Sequence, residues 1–198
     1  MKRIRHLLLD LGGILYRVEY HRTGEALHLP RQALATLLGD PTVCAYEKGL
    51  LSTEAFIAHW RKRFPHFSEE ELINAWNAML LGPLPQAEAI LKELSRHFSI
   101  AILSNTNALH LSIVEPEILP WSLYVEDMFF SHHLHKRKPE PEIYQEVIKA
   151  LGWSPEKTLF IDDNEVNVEG AQKAGLKGYH FFPPNQPENL LAIIRDAE

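Results

Sequence analysis

The chain has 198 residues, 45% of them hydrophobic, with 26 Asp and Glu against 20 Lys and Arg for a net charge of −6. This length and apolar content suit one globular domain with room for an insertion, and an acidic balance without a Lys/Arg stripe argues against nucleic acid as a partner. The single cysteine, Cys44, excludes an internal disulfide, and the apolar stretch after Lys2, Arg3 and Arg5 is short and broken by Asp10, so neither a signal peptide nor a membrane span is read there and a cytoplasmic location is expected.

The first predicted strand, Leu7-Leu8-Leu9, ends at Asp10 and is followed by Leu11-Gly12-Gly13. From Tyr16 to about Pro83 the pattern is helical, with no strand read there. One helix runs from Pro30 to Leu38, a second is capped by Ser52 and carries Phe56, Ile57 and Trp60, and a third follows the capping box of Ser68 and Glu71. This block reads as a lid inserted after the first strand. A helix from Gln86 to His97 then leads into a strand from Ile100 to Leu103, which ends at Ser104-Asn105-Thr106-Asn107. The next strand, Met128-Phe129-Phe130, is followed by Arg137-Lys138-Pro139 and a helix from Pro141 to Leu151, with Gly152 suited to its stop. Leu159-Phe160-Ile161 forms a strand ending at Asp162-Asp163-Asn164, and Asn164 caps a helix to Lys173. A strand from Tyr179 to Phe182 and an amphipathic helix from Asn189 to Asp196 close the series.

Short apolar runs alternating with helices predict an α/β fold with a Rossmann-like, doubly wound parallel sheet. Residues 1–15 and 84–198 are expected to form that core and residues 16–83 an inserted α-helical cap. In such sheets the ligand crevice lies at the carboxyl ends of the strands, so the residues that end each run converge there.

Asp10 sits at a strand end beside two glycines and can attack phosphorus as a carboxylate nucleophile. The adjacent acids Asp162 and Asp163 repel unless a cation intervenes. A hard divalent ion held by Asp10, Asp163 and the Gly12 carbonyl answers that need. Ser104 and Asn105 offer a hydroxyl and a backbone N–H to phosphate oxygens, and Lys138 can neutralise charge shared by Asp10 and the transferring group. Asn167, four residues after Asp163, lies on the same helical face and can orient a carboxylate. His132, His133 and His135 read as loop surface, and Phe129, Phe130, Phe160, Phe181 and Phe182 as core.

These residues together resemble the haloacid dehalogenase-like hydrolase superfamily, in the branch with a helical cap after the first strand. Asp10-Leu11-Gly12-Gly13-Ile14-Leu15, Ser104-Asn105-Thr106-Asn107, Lys138-Pro139, and Asp162-Asp163-Asn164 with Asn167, Gly170 and Ala171 resemble its four motifs in order. Within it the chain is most similar to bacterial phosphatases of glucose-1-phosphate-type sugar phosphates, a likeness carried by Ser104 to Asn107 with His110, by Glu169-Gly170-Ala171, and by Tyr46-Glu47-Lys48-Gly49.

The resemblance implies a Mg²⁺-dependent phosphatase that hydrolyses a small phosphomonoester, a sugar phosphate, through an aspartyl-phosphate. Asp10 and Lys138 are then catalytic, Ser104 and Asn105 bind phosphate, and Asp10, Gly12, Asp163 and Asp162 hold the metal. Most phosphatases of the family carry a second aspartate where this chain has Gly12, and Glu19 is expected to reach back as the acid and base. Arg22 is a candidate phosphate or sugar ligand, and Glu47, Trp76 and Asn77 are candidate contacts from the cap. The partner is a small phosphorylated metabolite, with no nucleic acid or membrane, and the oligomeric state stays open. Two other readings remain at this stage: a metal-independent 2-haloacid dehalogenase and a catalytically silent binding protein.

Overall fold

A computed structural model describes residues 3–182, 189, 190, 192 and 194. Strand β1 (His6–Leu9) opens the chain, and β2 (Tyr16–Val18) follows a tight turn. Five helices come next: α1 (His21–Ala26), α2 (Arg31–Leu38), α3 (Pro41–Glu47), α4 (Thr53–Arg63) and α5 (Glu69–Asn77). Then β3 (Leu80–Pro83), α6 (Ala87–Leu94), β4 (Ser99–Ser104), α7 (Ala108–Ile118), β5 (Asp127–Phe130) and the short α8 (Ser131–Leu134) follow. The chain continues through α9 (Pro141–Leu151), β6 (Thr158–Asp162), α10 (Glu165–Lys173) and β7 (Lys177–His180).

The main sheet has the order β5-β4-β1-β6-β7, and all its pairings are parallel. β1 lies at the centre, with Leu8 beside Ala101 on one side and Phe160 on the other. Because side chains alternate across a strand, Leu7, Leu9, Ile100, Ile102, Leu159 and Ile161 enter one core layer, together with Leu91 of α6 and Leu111 of α7. Leu8, Ala101, Leu103 and Phe160 enter the other, against Ile143 and Val147 of α9 and Ala171 of α10. Strands buried on both faces need near-continuous apolar runs, which is why these runs were legible as strands.

The helices from α1 to α5 hold a third core of their own, built on Phe56, Ile57, Trp60, Leu72 and Trp76. Phe56 lies 5.0 Å from Trp60 and 5.3 Å from Trp76, ring centre to ring centre. Sequence signals set the helix starts: Ser52 Oγ accepts from Ala55 N, and Ser68 and Glu71 make the reciprocal capping box. The block leaves and rejoins the sheet through β2 and β3, which pair antiparallel.

That ribbon corrects the expectation of no strand between Tyr16 and Pro83. Three- and four-residue strands are too short to show an alternation, and only their pairing reveals them. Helix α7 was also missed, since Leu109, Leu111, Ile113 and Val114 put apolar residues on several of its sides and Pro116 lies within it. Phe182 is 51% exposed rather than core, because β7 ends at His180. His132 and His133 stand on α8 instead of a loop. The final helix expected over Asn189 to Asp196 lies largely outside the described residues, although Leu190 and Ile194 are buried in the first core layer. Among the described residues no helix is long and apolar enough to cross a membrane.

Candidate active site

The strand order reverses about β1, and the carboxyl ends of β1, β4 and β6 deliver Asp10, Ser104 and Asp162 side by side. A cavity of about 710 Å³ opens there. Its floor includes Asp10, Gly12, Ser104, Asn105, Lys138, Asp163 and Asn167, while Val18, Tyr20, Leu38, Glu47, Trp76 and Met79 reach it from the other side.

Lys138 is the electrostatic centre of this floor. It is 1% exposed, and its Nζ lies 2.6 Å from both Asp10 Oδ1 and Asp162 Oδ2. Burial is the largest influence and disfavours its charged form, but the two carboxylates outweigh it and hold the lysine pKa above its ordinary value. Asn105 sets the lysine backbone: its Nδ2 donates to Lys138 O at 3.0 Å, and its Oδ1 accepts from Lys138 N at 2.9 Å. No local pattern announces this brace, because the two residues lie on different loops.

Asp162 is fully buried, and its oxygens are spent within the protein. Oδ1 accepts from Asn164 N at 2.8 Å, Oδ2 from Lys138, and Asn167 Nδ2 reaches both at 3.1 Å. A carboxylate offers about four acceptor directions, so Asp162 is engaged in positioning Lys138 and the α10 start. Asp162 lies beside Asp10 and Asp163, where a metal ligand was expected, but its oxygens carry these protein bonds, and Asn167 lies against its carboxylate. Tyr144 of α9 secures that asparagine from behind, donating to Asn167 O at 2.7 Å.

Asp10, Asp162 and Asp163 place ligand oxygens within 4.8 Å of one another. One buried ammonium faces three carboxylates. Burial and the neighbouring Asp162 push Asp10 up to about 8, and the same two causes push Asp163 up to about 6. The donor set is all oxygen, with Gly12 lining the same wall, and it suits a hard divalent cation that would relieve this repulsion. The donors to Asp10 that the structure shows among the described residues, Leu11 N at 2.7 Å and Lys138 Nζ at 2.6 Å, both reach Oδ1.

Gly13 makes this closeness possible. It has φ +72°, and a Cβ there would overlap the Asp163 carboxylate. The chain can therefore turn sharply from β1 into β2 with Asp163 packed against its backbone.

The structure does not bring Glu19 and Arg22 to the cavity. Tyr16, Val18 and Tyr20 alternate inward, so Glu19 points away and its carboxylate meets Arg22 Nε at 2.8 Å on the surface. Both assignments are corrected on that ground. Of the other candidates, Glu47 and Trp76 line the cavity, whereas Asn77 does not. Trp76 is joined to the sheet through a group the sequence underrated. His110 stacks on it at 4.7 Å, donates from Nε2 to Trp76 O at 3.2 Å and accepts at Nδ1 from Asn107 Nδ2 at 3.2 Å. Burial lowers His110 to about 4, so it is neutral and supplies the tautomer these bonds require.

The model of the haloacid dehalogenase-like hydrolase family matches residues 4–175. A flavin mononucleotide hydrolase of Arabidopsis thaliana is 41% identical over 98% of this chain and 77% of its own length. A D-ribitol-5-phosphate phosphatase of Bacteroides thetaiotaomicron is 26% identical over 94% of this chain and 93% of its own. The crystal structure of a haloacid dehalogenase family enzyme from Bacteroides thetaiotaomicron, in complex with magnesium and inorganic phosphate, superposes with a TM-score of 0.82 at 28% identity. That likeness covers 94% of this chain and 98% of the other. The chain belongs to the haloacid dehalogenase-like hydrolase family and is an enzyme of that family.

Proposed function

We propose that this haloacid dehalogenase-like hydrolase is a Mg²⁺-dependent phosphatase of a small phosphomonoester. The observation that carries the reading is the set of three clustered carboxylates against the single ammonium of Lys138. A metal-independent dehalogenase has no use for that excess of negative charge, and neither has a silent binding protein. Asp10 and Asp163, with the Gly12 carbonyl, hold the cation. When bound, Mg²⁺ neutralises charge on these carboxylates and on the phosphate.

Asp10 Oδ2 is the nucleophile, since Oδ1 is held by Leu11 N and Lys138. Its attack forms the Asp–O–P bond as the P–O bond to the leaving group breaks; the electron pair stays on the departing oxygen, which takes its proton from a water molecule. Water then cleaves the aspartyl-phosphate and regenerates Asp10. Lys138, Ser104 and Asn105 stabilise the phosphoryl oxygens, Lys138 by charge and the others by hydrogen bonds. Residues 16–83 form a cap that excludes bulk water during transfer; their separate apolar core supports that role.

The substrate class follows from what the named relatives share. D-ribitol 5-phosphate and flavin mononucleotide both carry a primary phosphate on an acyclic ribityl chain. We take that class, a sugar-alcohol phosphate with or without a ring at its far end, as the best reading of the sugar-phosphate expectation. The cavity wall fits it, with Trp76, Tyr20, Leu38 and Met79 offering apolar and aromatic surface beyond the phosphate floor.

The test is phosphate release from D-ribitol 5-phosphate, flavin mononucleotide and glucose 1-phosphate, with Mg²⁺ or chelator, and Asp10→Asn as control. Release that needs Mg²⁺ and Asp10, and that favours the two ribityl compounds, is expected. No release from any phosphomonoester overturns the phosphatase.

A further inference from the structure

Large hydrophobic side chains that stay exposed are few among the described residues. Two of them, Tyr20 at 52% and Val166 at 56%, line the catalytic cavity. A single exposed apolar residue needs no explanation, but apolar surface gathered at the mouth of a cavity marks a binding surface. The two arrive from different parts of the chain. Tyr20 lies between β2 and α1, and Val166 is the second residue of α10. Phe182, 51% exposed, continues the rim: its ring lies 5.1 Å from that of His180, whose Nε2 is 3.1 Å from Asp163 O.

Local structure does not call for either side chain. Tyr20 makes no capping hydrogen bond at the start of α1. Val166 stands in the first turn of a helix beside Glu165, where polar and acidic residues are favoured and a β-branched side chain loses freedom. Packing does not account for them, since about half of each remains outside.

Both stand over the phosphate floor. Burial, followed by the carboxylates of Asp10 and Asp163, holds the Tyr20 hydroxyl above the ordinary phenol range, which agrees with a phenol placed above those acids. Val166 follows Asp163 closely in the chain, at the amino end of α10. A group leading outward from the floor therefore passes between the Tyr20 ring and Val166.

The cavity, about 710 Å³, is far larger than a phosphate needs, so most of it is space for the leaving group. Its lining lysine and arginine, Lys138 and Arg137, are both already paired with carboxylates. The far end of the ligand is thus met by apolar contact rather than by charge. A flat ring suits the two side chains, with one face stacked on the phenol and the other against the valine methyls.

We propose that Tyr20 and Val166 clamp a flat aromatic ring at the far end of the leaving group, so that the enzyme prefers phosphates whose polar chain ends in such a ring over the same chain without it. This rests on the phosphatase reading above.

Flavin mononucleotide and D-ribitol 5-phosphate share the phosphate and the ribityl chain and differ by the ring alone. With Mg²⁺, wild-type kcat/KM should be higher for flavin mononucleotide by about 10-fold. Tyr20→Ala should lower that value by about 10-fold, mainly through KM, while ribitol 5-phosphate loses far less. Val166→Ser should act in the same direction, and Tyr20→Phe should retain the preference. Equal kcat/KM for the two substrates in the wild type, an equal loss on both in Tyr20→Ala, or no loss on either overturns the clamp.

Binding to Asp10→Asn protein reads the clamp without turnover. A stacked tyrosine quenches flavin fluorescence by electron transfer. Bound flavin mononucleotide should therefore be dim in this protein and brighter, at similar affinity, once Tyr20→Phe is added. Quenching undiminished by Tyr20→Phe, or an affinity no higher than that for ribitol 5-phosphate, overturns the clamp. Should flavin mononucleotide, ribitol 5-phosphate and p-nitrophenyl phosphate all resist hydrolysis, the phosphatase reading falls, and the fluorescence titration judges the clamp separately.

Discussion

The ammonium of Lys138 lies 2.6 Å from the carboxylate of Asp10, with 1% of the lysine exposed. The contact engages Asp10 Oδ1, which also accepts from Leu11 N, and it joins residues 128 positions apart in sequence.

Lys138→Met is expected to cost about 3–5 kcal/mol, because it leaves buried carboxylates without their partner. Turnover should fall by about 10²–10³-fold, the usual loss when a charge-stabilising donor is removed. Urea denaturation and phosphate release measure the two effects. Unchanged stability would show that Asp10 and Asp162 find another partner.

Asp10 has its pKa raised from 3.8 to about 8. A raised folded pKa means the folded state holds the proton more tightly. The associated stability is therefore full at acid pH, below the unfolded value, and is lost as pH rises toward 8. Metal-free protein should accordingly become less stable as pH rises through this window, Mg²⁺ should restore the loss, and Asp10→Asn should flatten the slope. Denaturation midpoints against pH, with Mg²⁺ and with chelator, check this. A midpoint that rises with pH in chelator would contradict the electrostatics described above.

Adjacent glycines should respond oppositely to alanine. At Gly13 a Cβ would overlap Asp163, and φ is +72°, so Gly13→Ala should cost about 1–2 kcal/mol in backbone strain and weaken Mg²⁺ binding. At Gly12 a Cβ meets only Val18 Cγ2 at 3.5 Å, an ordinary contact, so Gly12→Ala should fold and bind Mg²⁺ normally. Calorimetric Mg²⁺ titration of both variants distinguishes them.

Glu19→Gln should leave turnover within about twofold of wild type, since the carboxylate faces Arg22 outside the cavity. A large drop in kcat with Mg²⁺ binding intact would return Glu19 to the acid–base role.

The sequence by itself determined the parallel sheet and the residues at its crevice. Apolar runs such as Leu7 to Leu9 must be strands buried on both faces, and strand ends in such a sheet converge, so Asp10, Ser104 and Asp162 could be read from the order of runs alone. Helix starts at Ser52 and Ser68 were equally local, because a cap is a bond between near neighbours in the chain. Only the tertiary structure decided how differently the two adjacent acids are engaged. Asp162 and Asp163 are adjacent and chemically identical, yet Lys138 and Asn167 saturate the first, while Gly13 makes room for the second. It also decided that Glu19 faces outward, through strand alternation set by the pairing of β2 with β3, and that Glu47 meets Arg137. These outcomes depend on contacts between distant segments, and composition and periodicity record only what near neighbours impose.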